Sequence, residues 1–318
     1  MKIVILERGT VGKDVSVDEL SEYGELAVYE NTEIEKIAER VADADIIIAN
    51  KRPINESTIA GAKNVKLICQ FATGYDNIDI GYCKAKGIAV ANVSDYSTAA
   101  VVQHTFAMTF YLLEHLRFYD DYVKSGDYSR QDRFSYFDNV YSELAGKTWG
   151  IIGMGHIGRG VAEAAKSFGC EVIRYSTSGV SREEDVRPVE FSELLKQSDV
   201  LSLHCPLNER TRYLIDEKAL KQMKPTAILI NVARGAVVNN TDLAKALTEK
   251  TIAAAGLDVI EQEPISPENP LMQIRDSDRL LITPHIAWAS VEARRRVVTE
   301  AGRNIEAFLK GEHRNRIV

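Results

Sequence analysis

The amino-acid sequence predicts an α/β protein with two parallel-sheet domains. Short apolar runs alternate with helical patterns along the chain, and the runs fall into two series. Alternation of this kind is typical of βα units, and 318 residues exceed what one hydrophobic core usually serves. The strand-like runs of the first series cover residues 3–6, 46–49, 65–71 and 88–93, with a helix predicted at 32–44. Those of the second series cover residues 148–152, 171–175, 200–205, 227–232, 252–258 and 280–283.

Two long helical patterns lie where we expect the chain to pass between the domains. Apolar residues spaced for a buried helix span 97–118, with Ser97 or Thr98 as the N-cap, and a second amphipathic pattern spans 291–309. We therefore predict a discontinuous first domain, residues 1–98 and 290–318, with a second domain, residues 99–289, inserted into it. Residues 125–145 are rich in Tyr, Phe, Asp and Arg without a clear period, and we expect an arm that packs on another subunit of a homodimer.

Composition excludes several classes of partner. The formal net charge is −7, and basic residues are interspersed among acids, so no positive field attracts nucleic acid or an anionic membrane. Only four consecutive apolar residues precede Glu7, which is too short for a signal peptide or a span, so a cytoplasmic protein is expected. The four cysteines lie far apart without metal-ligand spacing, and we predict buried thiols and no metal site.

A glycine-rich turn opens the second series. Gly153, Gly155 and Gly158 form a GxGxxG pattern between a predicted strand at 148–152 and a predicted helix at 157–168. In that context, the first glycine permits a tight turn, the second admits a pyrophosphate and the third lets helix and strand pack closely. The helix N-terminus, with His156 and Ile157, then faces the anion. The sequence therefore predicts a Rossmann domain that binds a nicotinamide dinucleotide.

The residues that follow the next predicted strand do not decide between NAD and NADP. An acid usually stands there, roughly 20 residues after the glycines, and holds the adenosine ribose. Ser176, Thr177 and Ser178 occupy this place, and they carry no charge that would repel a 2′-phosphate. The nearest arginines are Arg174 and Arg182, while the neighbouring acids at 183 and 184 add negative charge.

Three side chains suit the reduction of a 2-keto acid, which needs a proton donor, a cation for the carboxylate and a partner that keeps the donor protonated. His285, Arg234 and Glu263 each follow a predicted strand, at the sheet edge where ligands bind in open α/β folds. A carboxylate beside an imidazole favours the protonated ring, and Glu261 competes with Glu263 for that position. His285 alone is also compatible with an ordinary loop residue, and Arg234 with a surface ion pair.

Longer runs match a known family. The segments NVARGAVV (231–238), GLDVIEQEP (256–264) and TPHIAWAS (283–290) closely resemble the D-isomer-specific 2-hydroxyacid dehydrogenases. The resemblance implies that Arg234 binds the substrate carboxylate and carbonyl, that His285 is the acid/base and that Glu263, directly before a proline, is its partner. It also implies a flavodoxin-like substrate domain at 1–98 and 290–318 and an NAD(P)-binding Rossmann domain at 99–289.

The same resemblance extends to cofactor and substrate contacts. It places Asp258 near the nicotinamide carboxamide and makes ATGYDNID (72–79) the substrate loop, in which the backbone amides of Thr73 and Gly74 hold the carboxylate. Trp288 either walls the substrate pocket or is a buried core residue. The remaining cofactor contacts that the resemblance implies are His204, Pro206, Val232 and Ala233.

Within the family, ATGYDNID, DYSTAAVVQHTFAM (95–108), ELAGKTWGIIG (143–153) and HIAWAS are most similar to glycerate dehydrogenases and hydroxypyruvate or glyoxylate reductases. Gln103 and His104 belong to that likeness. We therefore predict NAD(P)-dependent reduction of a small 2-keto acid to the D-2-hydroxy acid, and the reverse oxidation. The alternatives are a dehydrogenase for larger apolar or aromatic keto acids, and a non-enzymatic NAD(H)-sensing protein of the same fold.

Overall fold

Two parallel sheets form the framework of the computed structural model, which describes residues 1–179 and 185–318. Arg182 and its acidic neighbours at 183 and 184 lie outside the described residues. The chain divides into two units, one made of Met1–Ser97 and Trp288–Val318 and the other of Thr98–Ala287.

The first unit has a five-stranded sheet in the order β2-β1-β3-β4-β5, which is the flavodoxin-like order and confirms that part of the predicted fold. Every neighbouring pair is parallel. The strands are β1 Lys2–Ile5, β2 Glu25–Val28, β3 Ile46–Ala49, β4 Leu67–Gln70 and β5 Ala89–Ala91. The helices are α1 Ile37–Arg40, α2 Glu56–Ile59, α3 Ile80–Lys86 and, at the chain end, α11 Val291–Leu309.

The second unit has a seven-stranded parallel sheet in the order β12-β11-β10-β9-β6-β7-β8, the Rossmann order with one further strand. The strands are β6 Thr148–Ile152, β7 Glu171–Tyr175, β8 Arg187–Pro188, β9 Val200–Leu203, β10 Ile228–Asn231, β11 Ala254–Leu257 and β12 Leu280–Ile282. The helices are α4 Thr98–Leu113, α5 Leu116–Lys124, α6 Asp127–Arg130, α7 His156–Ser167, α8 Phe191–Gln197, α9 Glu217–Leu220 and α10 Asn240–Thr248. The strand order reverses between β6 and β9, which places the ligand-binding crevice there.

Most predicted elements form, and the differences have local causes. The central strands are buried along their whole length, so their sequences are continuous apolar runs. The helix predicted at 97–118 ends at Leu113, because His115 adopts a left-handed φ of 51° before α5 begins. The helix predicted at 32–44 is reduced to a 3-10 turn at Ile34–Lys36 and the single turn of α1. Strands β2 and β8 were not predicted, because both are short and largely exposed at sheet edges.

The four cysteine side chains are buried free thiols, as predicted. Burial raises the pKa of Cys69 to about 12 and the pKa values of Cys83 and Cys205 to about 11. These thiols are therefore protonated and poorly reactive at neutral pH. Each helix in the described part of the chain is too short or too polar to cross a bilayer.

Candidate active site

Three loops at one edge of the seven-stranded sheet carry the predicted catalytic side chains. Arg234 follows β10, Glu263 follows β11 and His285 follows β12. These strands are neighbours in the order β12-β11-β10, and all pairs are parallel. The carboxyl ends of the three strands therefore bring the three loops to the same edge.

His285 and Glu263 form a hydrogen-bonded pair. The Nδ1 atom of His285 lies 2.7 Å from Oε2 of Glu263, and the other carboxylate oxygen accepts the backbone N–H of Ile260 at 3.3 Å. An ionised carboxylate can only accept, so Nδ1 of His285 is the donor in this pair. The arrangement fixes the tautomer of the ring and makes Nε2 the nitrogen that can exchange a proton with a reacting oxygen.

Glu261, the competing carboxylate, has other partners. Its Oε1 atom accepts the backbone N–H of Asn240 at 2.6 Å, and its Oε2 atom accepts the hydroxyl of Tyr213 at 3.0 Å. It therefore tethers its own loop to the N-terminus of α10. The carboxylate bonded to His285 is Glu263.

The loop that carries His285 is held by Asp258, which is almost fully buried. Its Oδ1 atom accepts the Thr283 hydroxyl at 2.7 Å and the Ile286 N–H at 2.8 Å, and Oδ2 accepts the Ala287 N–H at 2.8 Å. The backbone carbonyl of Asp258 accepts the N–H of His285 at 2.9 Å. His285 has a left-handed φ of 56°, a strained conformation that persists only where the surroundings impose it. Asp258 supplies that constraint, a role that the sequence did not predict.

The Arg234 loop packs directly on the loop that carries Glu263. Asn231 donates its side-chain amide to the Arg234 carbonyl at 3.0 Å, and the guanidinium donates to the Ala233 carbonyl at 2.9 Å. A Cβ atom added at Gly235 would lie 1.9 Å from the carbonyl carbon and oxygen of Ile260. Only glycine permits this approach, which sets the position of Arg234 relative to the Glu263 loop.

The glycine-rich turn between β6 and α7 has the form that its pattern predicted. Gly153 has a φ of +96°, and a Cβ there would lie 2.7 Å from the carbonyl carbon of His204. A Cβ at Gly158 would lie 2.1 Å from the Gly153 carbonyl oxygen, whereas one at Gly155 would meet nothing within 4 Å. The first and third glycines therefore permit close packing, and the second leaves space for a ligand.

That space belongs to a cavity of about 830 Å³ at the reversal of strand order between β6 and β9. It is lined by seven of the predicted cofactor residues, namely Gly153, Gly155, Ser176, Thr177, Ser178, His204 and Pro206. It is also lined by six residues that were not predicted, namely Met154, Arg159, Arg174, Asn208, Glu209 and Arg210. Three arginines and one glutamate among the described lining residues make the cavity suitable for an anionic ligand.

His204 has a fixed protonation state at the wall of this cavity. Trp149 donates its indole N–H to the Ser202 hydroxyl at 2.8 Å, and this hydroxyl lies 3.0 Å from Nε2 of His204. The Ser202 oxygen accepts the indole proton, and its contact with Nε2 of His204 is a hydrogen bond in either tautomer of the ring. Burial lowers the pKa of His204 to about 3, so the ring is neutral. Its Nδ1 atom is buried and has no hydrogen-bond partner within the described chain.

Comparisons with known proteins agree with this geometry. A sequence model described as D-isomer specific 2-hydroxyacid dehydrogenase, NAD binding domain, matches residues 106–287. The chain is 37% identical to a hydroxypyruvate reductase from Blautia hydrogenotrophica, over 98% of each protein. The chain belongs to the D-isomer-specific 2-hydroxyacid dehydrogenases. It is also 38% identical to a glycerate dehydrogenase from Methylorubrum extorquens, over 99% of this chain and 98% of that protein.

The solved structures include close relatives of the whole dehydrogenase fold. An acyclic imino acid reductase in complex with NADPH and D-Arg superposes with a TM-score of 0.89 at 31% identity, and the match covers 100% of both chains. Membership of the family confirms the predicted enzyme class and a nicotinamide cofactor. The space at Gly155 and the three arginines of the cavity fit the adenosine and pyrophosphate part of such a cofactor.

Three of the five predicted substrate residues, Thr73, Gly74 and Trp288, lie in the first unit, whereas Arg234 and His285 lie in the second. Thr73 is held by its hydroxyl, which donates to the Val93 carbonyl at 2.8 Å, and by Asn92, which donates to the Thr73 carbonyl at 2.7 Å. Within the described chain, the N–H groups of Thr73 and Gly74 donate no hydrogen bond. Trp288 is half-buried and packs edge-on against Tyr96 with the ring centres 6.1 Å apart, so it is not a fully buried core residue. The substrate contacts of these residues stay a prediction.

Some predicted cofactor residues lie away from the cavity. Ile157 and Val232 are partly buried and pack against the hydrophobic core. Val232, Ala233 and Asp258 lie on the β10 and β11 side of the edge and do not line the cavity. Arg159 lies on the first turn of α7. A basic side chain directly after the glycine pattern could have indicated this anion-binding position from the sequence, but it was not predicted. Arg210 gave no such signal, because its position depends on the path of the loop after β9.

Proposed function

We propose that this dehydrogenase reduces a small 2-keto acid of the hydroxypyruvate or glyoxylate type to the D-2-hydroxy acid and catalyses the reverse oxidation. The observation that carries the proposal is the 2.7 Å pair between His285 and Glu263, with Arg234 on the adjoining loop. Such a set is needed for turnover and not for sensing a nucleotide. The similarity to a hydroxypyruvate reductase and a glycerate dehydrogenase over nearly the whole chain supports the substrate class.

The chain's own residues divide the chemistry between them. A bound nicotinamide supplies the hydride in reduction and accepts it in oxidation. Arg234 binds the substrate carboxylate through its planar guanidinium and polarises the carbonyl. Protonated His285 donates its Nε2 proton to the carbonyl oxygen, while Glu263 holds the Nδ1 proton and stabilises the positive charge on the ring. In oxidation, Nε2 removes the hydroxyl proton of the substrate.

The test is a nicotinamide-absorbance assay with hydroxypyruvate, glyoxylate and phenylpyruvate, each with NADH and NADPH. We expect turnover with the first two substrates and weaker turnover with phenylpyruvate. A His285→Ala variant should lose at least about 1,000-fold in kcat while its cofactor Kd changes less than about threefold. A preference for phenylpyruvate would favour the alternative of larger keto acids. Cofactor binding without turnover of any substrate would favour the sensing alternative.

We infer that NADP(H) is the preferred cofactor. Ser176, Thr177 and Ser178 line the cavity directly after β7, where an acid would repel a 2′-phosphate. Arg174 and Arg210 line the same cavity, and Arg174 is held by a 2.9 Å bond from Nε to the Val186 carbonyl. Glu209 opposes them and is the single acid among the described lining residues. The imino acid reductase that shares the fold holds NADPH.

Arg210 gives the sharpest test of this cofactor choice. We expect Arg210→Ala to raise the Kd of NADPH about tenfold, as for loss of a charge-assisted bond to phosphate, and to change the Kd of NADH less than twofold. Arg212→Ala is the matched control, because Arg212 is exposed two residues further on and does not line the cavity. Adenosine 2′,5′-bisphosphate titrated by calorimetry reports the same site without turnover. Equal loss of NADH and NADPH affinity would contradict the assignment.

We further propose that the protein is a homodimer. The segment after α6 exposes Phe134, Phe137, Val140 and Tyr141, with Phe134 92% exposed. Four large exposed apolar side chains within eight residues are typical of a protein interface. Light scattering should give twice the mass of the chain, and a Phe134→Ser, Phe137→Ser double variant should shift the protein toward monomer. A monomeric wild-type protein at micromolar concentration would contradict the proposal.

A further inference from the structure

A histidine that the proposed mechanism does not use lies beside the loop that carries His285. His104 is on α4, and its Nε2 atom is 3.0 Å from the Thr283 hydroxyl and 3.6 Å from Oδ1 of Asp258. Its side chain is 20% exposed, so little water competes for these contacts. All three residues belong to the second unit.

The directions of these hydrogen bonds follow from the groups involved. Both carboxylate oxygens of Asp258 accept backbone N–H groups, from Ile286 and Ala287, so the 2.7 Å contact at Oδ1 takes the single hydroxyl proton of Thr283. The Thr283 oxygen is then the acceptor in its contact with His104. This leaves one arrangement, in which Nε2–H of His104 donates to Thr283 and Thr283 donates to Asp258.

These hydrogen bonds hold the backbone both before and after His285. Thr283 lies two residues before it, and the two N–H groups bound by Asp258 directly follow it. His104 is therefore the outermost donor of a set that fixes the left-handed backbone at His285, and with it the direction of the ring. Without this donor, the Thr283 hydroxyl can rotate away and the Asp258 carboxylate loses a fixed partner.

We propose that His104 is a positioning residue that holds the His285 loop through Thr283 and Asp258. The proposal rests on the proposed function, because it assigns the purpose of the network to the proton transfer by His285. His104 touches none of the reacting groups in this scheme. Its contribution is a single N–H donor at a fixed place, so another side chain that presents an N–H there should replace it.

The test compares two substitutions at this position. Glutamine can present its amide N–H near the place of Nε2, whereas methionine fills similar space without a donor. We expect His104→Met to lower kcat roughly tenfold with the Kd of NADPH unchanged, and His104→Gln to stay within about threefold of the wild-type kcat. Gln103→Met, at an exposed neighbouring position on α4, is the control for an effect on the helix itself. If Gln and Met are equally impaired, or Met is not impaired, the proposal is wrong.

A double-mutant cycle tests the path of the effect. Thr283→Val removes the hydroxyl that joins His104 to Asp258, and we expect it to lower kcat about as much as His104→Met does. The double variant should then be no worse than either single variant, because both remove the same connection. Additive losses in kcat would show that the two residues act independently and would overturn the proposal.

A spectroscopic signal separates failure of this inference from failure of the proposed function. The Nδ1 proton of His285, bonded to Glu263, is expected to give a downfield proton resonance, which is assigned by its absence in His285→Gln. His104→Met should broaden or shift that resonance, and His104→Gln should keep it. An unchanged resonance in His104→Met would overturn the inference even if the enzyme is active. Absence of turnover with a resonance that responds as expected would count against the proposed function alone.

Discussion

The sheet edge that carries Arg234, Glu263 and His285 differs from the cavity beside it in how its polar groups are satisfied. At the edge, the carboxylates of Asp258, Glu261 and Glu263 each bind partners within the protein at 2.6 to 3.3 Å. At the cavity, Nδ1 of His204 has no partner in the described chain, and the space beside Gly155 is open. The proposed acid/base pair is therefore preorganised by the protein alone, whereas the cavity leaves space for the proposed cofactor. Substitutions at the edge should therefore reduce turnover, and those at the cavity should reduce binding.

Of the two glutamates that follow β11, Glu263 should be the one whose substitution strongly lowers kcat. Glu263→Gln replaces the carboxylate bonded to Nδ1 of His285 by a neutral amide, so the hydrogen bond that orients the ring is weaker. We expect kcat to fall at least about 100-fold, measured by steady-state kinetics with NADPH and hydroxypyruvate. Glu261→Gln is the matched control, because this side chain bonds Tyr213 and the N-terminus of α10, and its kcat should stay within about threefold. Similar losses of kcat in the two variants would contradict the assignment of Glu263 as the partner of His285.

A smaller effect is expected from Gly235→Ala, which alters the same edge through its packing. The new Cβ would overlap the Ile260 carbonyl, so the loops that carry Arg234 and Glu263 must move apart. We expect kcat/KM to fall roughly 10- to 100-fold, since small displacements of positioning groups have effects of this size. Gly61→Ala is the control, because a Cβ there meets nothing within 4 Å. Activity retained in Gly235→Ala would show that the loop contact does not set the position of Arg234.

Substitutions at two glycines that follow β6 should separate cofactor binding in the cavity from stability of the fold. Gly155→Ala places a methyl group in the open space, so we expect the Kd of NADPH to rise about tenfold with little change in the free energy of unfolding. Gly158→Ala places it against the Gly153 carbonyl and should lower the free energy of unfolding by about 2 to 3 kcal/mol. Calorimetric titration and urea unfolding of both variants provide the measurements. Unchanged affinity in Gly155→Ala would mean that the cofactor does not approach this backbone.

The sequence predicted that Arg234, Glu263 and His285 lie at one sheet edge but not which contacts hold their loops. Parallel strands buried on both faces are continuous apolar runs, so residues directly after such runs, among them Arg234 and His285, could be assigned to the sheet edge. From the residues alone, Glu261 and Glu263 stayed alternatives, because they are two positions apart and only the backbone of their loop decides which one reaches the histidine. The contact of His104 with Thr283 joins residues 179 positions apart, so no local pattern could indicate it. The same holds for Arg210, whose place at the cavity depends on the path of a loop.

The protonation of His204, at the wall of the cavity, is expected to affect the stability of the fold. Burial lowers the pKa of this ring to about 3, whereas the unfolded chain has an ordinary histidine pKa near 6.5. The unfolded state therefore binds the additional proton as the pH falls below about 6.5, and stability is lost progressively down to the folded pKa. Because the residue as a whole is only partly covered, we expect about 1 to 2 kcal/mol of this loss between pH 7 and pH 5. His204→Gln should show a flatter dependence of unfolding free energy on pH by that amount, while His313→Gln, at an exposed position, should follow the wild type. If the wild type and His204→Gln lose stability in parallel, His204 is not held neutral in the folded protein.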